Sequence, residues 1–87
     1  MVSEKVRVVN PTGLHLRPAG VLCREALKYR CSVTISFEDS TVNAKSVLSV
    51  LGACVKCQDE ILLTCDGEYE AEALKDLTAQ IRNGLGE

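Results

Sequence analysis

The sequence predicts a single α+β domain in which helices cover one face of an antiparallel sheet. Four short segments alternate apolar and polar residues, as strands with one buried face do. Two longer segments and one short segment have the apolar spacing or capping residue of a helix, which gives the order β-α-β-β-α-β-α. Because such strands cannot bury both faces, we expect two layers with the helices on one side of the sheet.

The first strand, a turn and the first helix are predicted for the N-terminal third. Apolar and charged side chains alternate over residues 3–9, which predicts the strand. Residues 10–13, Asn-Pro-Thr-Gly, are typical of a turn because proline fixes φ and glycine tolerates a positive φ. Helical spacing predicts a helix over residues 16–29. Pro18 fits its first turn but disfavours helical geometry at the preceding residue, so the helix starts between residues 15 and 18.

The middle of the chain predicts two strands and a short helix. Residues 31–37 alternate strictly between apolar and polar side chains, which is a strong strand signal. Residues 38–40 turn the chain, and residues 41–44 can form a short antiparallel partner strand. Ser46 is a good N-cap for a brief helix that continues to Leu51.

A strand and a helix are predicted for the remainder of the chain. Residues 60–65 form the strand, and an Asp66-Gly67 turn follows it. The final helix runs over about residues 68–83, with glutamates near its start and basic residues later, as the helix dipole prefers. Its apolar stripe consists of Leu74, Leu77, Ile81 and Leu85, widened by Ala73.

Composition and charge argue against several classes of function. The formal net charge is −2 and aromatic residues make up only 3% of the chain, so nucleic-acid binding is disfavoured as the main activity. No apolar run approaches the ~20 residues that span a bilayer. The N-terminus carries charges where a signal peptide is apolar. We therefore expect a cytoplasmic protein without membrane insertion.

The chain has one histidine, His15, which the predicted turn delivers to the start of the first helix. The first backbone N–H groups of a helix lack partners and the dipole is positive there, which favours a bound phosphate. Arg17 can add a charge-assisted hydrogen bond to phosphate oxygens. One short segment thus offers a nucleophile, a phosphate cradle and a countercharge. The alternative is a structural or merely exposed histidine near a helix start.

Two motifs make the chain resemble a known family. GLHLRPAG at 13–20 and NAKSVLSVLG at 43–52 resemble the two signature regions of HPr, the histidine-containing phosphocarrier of the bacterial phosphoenolpyruvate:sugar phosphotransferase system. Chain length, motif spacing and element order are also similar. The resemblance covers essentially all 87 residues. It implies an HPr-like open-faced β-sandwich, with three helices over a four-stranded antiparallel sheet.

The resemblance also implies an activity. Enzyme I, charged by phosphoenolpyruvate, would phosphorylate His15 on Nδ1, and the phosphoryl group would pass to the IIA domains of sugar permeases. Arg17 matches the family's phosphate-contacting arginine. Such a protein is a carrier rather than a stand-alone enzyme. We expect a monomer without a cofactor or a bound metal.

The second motif resembles the regulatory region of the family. The resemblance implies that an HPr kinase/phosphorylase could phosphorylate Ser46 and that a catabolite control transcription regulator could then bind the protein. A phosphate at an N-cap sits on the positive end of the helix, so it need not unfold anything. Its charge of about −1.5 to −2 would instead repel acidic partner surfaces. The alternative is that Ser46 only caps its helix.

The short helix is too apolar to be buried entirely. Val50 can point inward while three neighbours form an exposed patch near His15. The resemblance makes this patch a docking surface for enzyme I and IIA domains, together with part of the first helix. The predicted docking residues are Leu16, Gly20, Arg24, Val47, Leu48 and Leu51. The alternative is that the apolar members complete the core.

Five cysteines are many for this length: Cys23, Cys31, Cys54, Cys57 and Cys65. In a reducing compartment most are expected to be small buried hydrophobic residues, and the sequence pattern supports this for the first two and the last. Cys54-Val55-Lys56-Cys57 replaces a stretch that is usually glycine-rich in the family. A zinc site would need two more ligands, and a thioredoxin-like pair would precede a helix rather than follow one. Structural or incidental thiols are the favoured interpretation.

Two alternatives to the phosphocarrier come from other functional classes. One is a mainly regulatory HPr-like module, acting in carbon catabolite control or in a nitrogen-related branch of phosphotransfer. Regulatory paralogues of that type lack the histidine, so His15 and Arg17 argue against it as the only role. The other is a metal or redox mini-domain built on the cysteines, which metal analysis of the reduced protein would test.

Overall fold

The structure is a computed structural model that describes residues 1–86. The elements are β1 (Val2–Arg7), α1 (Leu16–Ala26), β2 (Ser32–Phe37), β3 (Ser40–Asn43), α2 (Val47–Gly52), β4 (Glu60–Asp66) and α3 (Glu70–Arg82). This order, β-α-β-β-α-β-α, confirms the prediction. Within the described residues, no helix combines the length and the apolar content that crossing a membrane requires.

The four strands form one antiparallel sheet in the order β1-β4-β2-β3. β4 lies between β1 and β2, and its inward residues face apolar partners on both sides. Val6 of β1 is opposite Ile61, and Ile35 of β2 is opposite Leu63. β1 and β3 are therefore the two edges of the sheet.

One face of the sheet is buried under the helices and the other is open. Along β4, Ile61, Leu63 and Cys65 are buried, while Leu62 and Thr64 between them are half-exposed. The helices supply the other half of a single core through residues such as Leu22, Val50 and Leu77, which are all fully buried. Because aromatic residues are scarce, valine, leucine, isoleucine, alanine and cysteine fill this core, as expected.

Two helix boundaries differ from the prediction. α1 ends at Ala26 rather than at residue 29, because the amides of Lys28 and Tyr29 bond to carbonyls three residues back and so close a tighter turn. α3 begins at Glu70 rather than at residue 68. Tyr69 has a φ of 60°, a left-handed conformation that a helix cannot contain.

The ends of β1 and α3 differ for similar reasons. β1 ends at Arg7 rather than at residue 9, because Val8 leaves the ladder. Its N–H donates to the Asp59 carbonyl at 2.9 Å and its carbonyl accepts from Gln58 N–H at 2.7 Å. Leu85 lies beyond the last turn of α3, with a φ of 50°, yet it is buried in the core as its stripe predicted.

The cysteines fall into two groups. Cys23, Cys31 and Cys65 are buried, which confirms their predicted role as core residues, and burial beside Cys31 raises the pKa of the Cys65 thiol to about 11. Cys54 and Cys57 are free and exposed. The two cysteines of the C-x-x-C segment therefore do not help to build the core.

Candidate functional site

His15 is the N-cap of α1 and its side chain is exposed. Its backbone is extended, with φ −78° and ψ −175°, and its carbonyl accepts the Ala19 N–H at 2.9 Å to begin the helix. The imidazole does not cap its own helix. The ring thus lies at the N-terminus of α1 and forms no capping hydrogen bond that would stabilise the helix.

The first turn of α1 is suited to an anion. The amides of Leu16 and Arg17 precede the first intrahelical hydrogen bond, and Pro18 has no N–H to leave unpaired. No acidic side chain lies in this turn, so nothing compensates the positive end of the helix dipole. Arg17 is exposed and forms no ion pair with any residue from 1 to 86. Unpaired amides and an unpaired guanidinium therefore flank His15.

A glycine turn delivers His15 to this position. The Gly13 N–H donates to the Asn10 carbonyl at 2.9 Å, and Gly13 has a φ of 68°, which confirms the predicted turn. The next residue, Leu14, donates its N–H to the Val55 carbonyl at 3.0 Å. A Cβ at Gly13 would lie 2.3 Å from that carbonyl oxygen and 2.6 Å from Lys56 Cα. Only glycine allows the two backbones to approach so closely.

Asn10 is a positioning residue whose sequence pattern indicates only a turn. It is buried, and its side-chain amide donates to the Gly84 carbonyl at 2.6 Å, beyond the end of α3. The loop before His15 is therefore held at Asn10 by the C-terminal segment and at Leu14 by residue 55. No local sequence signal marks these contacts, because one partner in each is a distant backbone carbonyl.

Ser46 is the N-cap of α2, as predicted, and its Oγ accepts the Ser49 N–H at 3.3 Å. The Cys23 thiol, in α1, donates to the Lys45 carbonyl at 3.0 Å, just before Ser46. Cys23 is eight residues beyond His15, which is ~12 Å along the axis of α1. The structure therefore does not bring Ser46 to His15; the serine lies beside the other end of α1.

A second contact fixes the segment before Ser46. The Lys45 ammonium donates to the Tyr29 carbonyl at 2.7 Å, and the Tyr29 hydroxyl donates to Asp76 of α3 at 2.5 Å. The hydrogen bond to Asp76 and burial raise the pKa of Tyr29 to about 12. The start of α2 is thus held by the Cys23 thiol of α1 and by Lys45 on the Tyr29 carbonyl, and Tyr29 is in turn fixed by Asp76 of α3.

α2 runs back along α1 toward His15. The segment before α2 contacts Cys23, and the segment after it, at Val55, contacts Leu14 next to His15. The exposed side of this helix pair carries Leu16, which is 61% exposed, and Leu48, which is 81% exposed.

The rest of the predicted patch is less exposed than expected. Val50 points inward as predicted and is fully buried. Val47 and Leu51 are half-buried and pack against the core, so the exposed apolar patch on α2 is narrower than the sequence suggested. Gly20 and Arg24 follow Leu16 at intervals of one turn on the face of α1 away from its buried residues. Their role in docking stays a prediction.

Comparison with known proteins decides the family. A family profile described as "PTS HPr component phosphorylation site" matches residues 2–83. The chain belongs to the HPr family. The phosphocarrier protein HPr of Treponema pallidum is 31% identical over 87 residues, covering 100% of this chain and 99% of that protein. The HPr-like protein Crh of Bacillus subtilis is 37% identical over 82 residues, covering 94% of this chain and 96% of its own.

Solved HPr structures share the fold. HPr-C-His from Thermoanaerobacter tengcongensis superposes with a TM-score of 0.95 at 31% identity, covering 100% of this chain and 98% of that one. The HPr-like open-faced β-sandwich, expected from the resemblance, is confirmed. A crystal structure of Crh, with a TM-score of 0.78 at 36% identity over 97% of both chains, is an intertwined dimer formed by a swapped domain. Because some of the matched structures are dimers, the expectation of a monomer is not supported.

Proposed function

We propose that the protein is the phosphocarrier of a sugar phosphotransferase system, with His15 as the residue that carries the phosphoryl group. The observation that supports this most strongly is the exposed imidazole of His15 beside the unpaired amides of Leu16 and Arg17. These amides and the Arg17 guanidinium would hold the phosphate oxygens, whose negative charge the helix dipole favours.

The transfer itself needs little from this chain alone. The neutral imidazole nitrogen, Nδ1 by analogy with the family, would attack the phosphorus carried by enzyme I, and the nitrogen–phosphorus bond would form as the bond to enzyme I breaks. A IIA domain would then attack the same phosphorus and regenerate the imidazole. Catalysis of this kind is mainly positioning and charge stabilisation, which the fixed turn before His15 supplies.

The partners that we propose are enzyme I and IIA domains, which would dock on the α1–α2 surface that exposes Leu16 and Leu48. Two exposed leucines beside a reactive group are what a transient protein interface uses as apolar anchors. Arg24 and Arg17 lie along the same helix and would attract an acidic partner surface. A protein with these partners acts in the cytoplasm.

Incubation with enzyme I and phosphoenolpyruvate tests the proposal. We expect one phosphoryl group per chain, labile in acid and stable in base, and none on the His15→Ala variant. Arg17→Ala should be labelled far more slowly, while Lys28→Ala, which removes a cation at the other end of α1, should behave as wild type. Equal labelling of wild type and His15→Ala would overturn the assignment.

We further propose that phosphorylation of Ser46 regulates docking. Ser46 lies beside the α1–α2 surface but about 12 Å from His15 along α1, so its phosphate would act on partner binding rather than on the imidazole. The expected readout is a kinase-treated protein that accepts phosphate from enzyme I more slowly, with Ser46→Ala insensitive to the kinase. An unchanged rate after full modification of Ser46 would contradict this.

A mainly regulatory role is the second candidate, because the matched relatives include Crh as well as HPr. His15 and Arg17 favour the carrier. Deletion of the gene distinguishes the two: loss of growth on a transported sugar supports the carrier, whereas normal growth with altered catabolite control supports the regulator.

A further inference from the structure

The C-x-x-C segment lies against the loop that positions His15. Cys54 and Cys57 enclose Val55 and Lys56, and these two residues make the close backbone contact with Gly13 and Leu14. Both thiols are exposed, whereas the other three cysteines are buried. The two accessible thiols of the described chain therefore flank the backbone that supports the candidate site.

The two thiols have different surroundings. Cys54 lines a depression with Phe37, at the end of β2, and with Glu38. The Cys57 sulfur lies 3.9 Å from the Val9 carbonyl oxygen, just past β1. A disulfide needs Cβ atoms about 4 Å apart, so closing one draws both side chains from these surroundings and acts on the backbone between them.

The backbone of this segment is held in an unfavourable conformation. Cys54 has a φ of 58°, and Gln58, directly after the segment, has a φ of 73°, so two residues with a Cβ adopt the left-handed region. The contacts that stabilise it include the Leu14–Val55 hydrogen bond and a hydrogen bond from Gln58 N–H to the Val8 carbonyl. A covalent bond across the segment would compete directly with these contacts.

We infer that Cys54 and Cys57 form a reversible disulfide, and that its formation weakens the backbone contacts that hold the His15 loop. Closure moves the Val55 carbonyl away from the Leu14 amide and loosens the turn that delivers His15. In a reducing compartment such a bond is transient, as redox-sensing disulfides are. The reduced protein is the form competent for phosphotransfer, so the functional consequence, though not the disulfide itself, rests on the proposed function.

The chemistry is thiol–disulfide exchange with a low-molecular-weight disulfide. The thiolate of one cysteine attacks a sulfur of that disulfide, forming a mixed disulfide and releasing one small thiolate. The thiolate of the other cysteine attacks the protein sulfur of the mixed disulfide, which closes the Cys54–Cys57 bond and releases the second small thiolate. The two cysteines lose two protons and two electrons, and the small disulfide is reduced to two thiols.

Oxidised glutathione is the probe for the test. Wild type treated with it should lose the mass of two hydrogens and keep no bound glutathione, whereas Cys54→Ser and Cys57→Ser should each retain one glutathione. Cys23→Ser is the matched control, because its serine keeps the donor to Lys45 and leaves the pair intact; it should behave as wild type. A wild type that accumulates only mixed disulfides would overturn the inference.

The structural consequence is measured separately from phosphotransfer. Hydrogen exchange at the Leu14 amide should become about tenfold faster in the oxidised protein, the change expected when one hydrogen bond is lost. Phosphorylation of His15 by enzyme I should slow on oxidation and recover with dithiothreitol. If the disulfide forms but hydrogen exchange at the Leu14 amide is unchanged, the inferred effect on the His15 loop is wrong. If the reduced protein is not phosphorylated at all, the proposed function fails, while the mass and exchange measurements still test the disulfide.

Discussion

α1 and α2 pack side by side but begin in different ways. The N-cap of α2, Ser46, accepts the Ser49 N–H at 3.3 Å and so satisfies an amide of its own helix. The N-cap of α1, His15, leaves its side chain exposed and the amides of Leu16 and Arg17 unpaired. One helix start is closed by its own side chain, and the other is open to a ligand. The same feature of helix geometry thus stabilises the fold at one place and prepares a site at another.

The segments before these caps are also held differently. A close backbone contact at Gly13 and Leu14 holds the turn before His15, together with the Asn10 side chain, so the shape of the turn depends on the absence of a side chain at Gly13. Side chains hold the segment before Ser46, through Cys23 and through Lys45 on the Tyr29 carbonyl. The open helix start is fixed without using the groups that would contact phosphate. Substitutions should therefore affect the two starts in different ways.

The largest expected effect is at the turn before His15. Gly13→Ala should lower the free energy of unfolding by about 3 kcal/mol, because the new Cβ would collide with the Val55 carbonyl in a left-handed backbone. Urea denaturation measures this. Gly20→Ala is the matched control, since a Cβ there meets nothing within 4 Å in α1, and it should stabilise the protein by about 0.5–1 kcal/mol. Equal effects of the two variants would contradict the close approach.

A smaller effect is expected where side chains hold the start of α2. Tyr29→Phe removes the hydrogen bond to the Asp76 carboxylate and should cost about 1–2 kcal/mol at neutral pH, measured by urea denaturation. Lys75→Ala, at a neighbouring exposed position of α3, should change stability little. A Tyr29→Phe variant as stable as wild type would show that this contact does not anchor the segment.

The contribution of Tyr29 should also depend on pH. Its pKa is raised from 10.0 to about 12, because the neutral phenol donates to Asp76 and burial disfavours the phenolate. The stabilisation is therefore fully present below pH 10 and is lost as the pH rises toward 12. Wild type should lose stability relative to Tyr29→Phe across that interval. If the free energies of unfolding of the two proteins change with pH in parallel, the pH dependence does not come from the Tyr29 hydroxyl.

The next effect concerns the N-cap of α2, Ser46. Ser46→Ala should destabilise the protein by about 1 kcal/mol, because the Ser49 amide loses its acceptor. Ser49→Ala keeps that amide and should have a smaller effect. Thermal unfolding measures both, and a Ser46→Ala variant of unchanged stability would mean that the cap contributes nothing.

The smallest expected effect on stability is at the residue we place at the centre of function. His15→Ala should change the free energy of unfolding by less than about 0.5 kcal/mol, because the exposed imidazole does not cap its helix. Thermal unfolding of the two proteins measures this. A loss as large as that of Ser46→Ala would mean that His15 is structural and that the two helix starts are alike.

The element order and the N-cap of α2 could be predicted from local sequence, because alternation, helical spacing and capping residues are local signals, whereas the start of α1 could be placed only between residues 15 and 18. The turn at Gly13, the N-cap Ser46 and the inward Val50 were predicted for that reason. The helix ends were less accurate. Nothing in the local pattern indicates that Tyr69 adopts a left-handed backbone or that the chain tightens after Ala26.

The support of the candidate site could not be predicted. The contact between Leu14 and Val55 joins two backbones about 40 residues apart, and backbone groups carry no residue-specific signal. The same is true of the Gly84 carbonyl that holds Asn10. Cys54 and Cys57 were interpreted as structural or incidental thiols, and their exposure in the structure could not be predicted, because spacing alone does not reveal exposure.

The most direct test of the central claim is to follow the amide resonances of the two helix starts as enzyme I phosphorylates the protein. If the open start of α1 holds the phosphoryl group, the Leu16 and Arg17 amide protons move downfield, as expected for hydrogen bonds to an anionic oxygen, and the Ser49 amide stays in place. Phosphate on His15 without a shift at Leu16 and Arg17 would contradict the account.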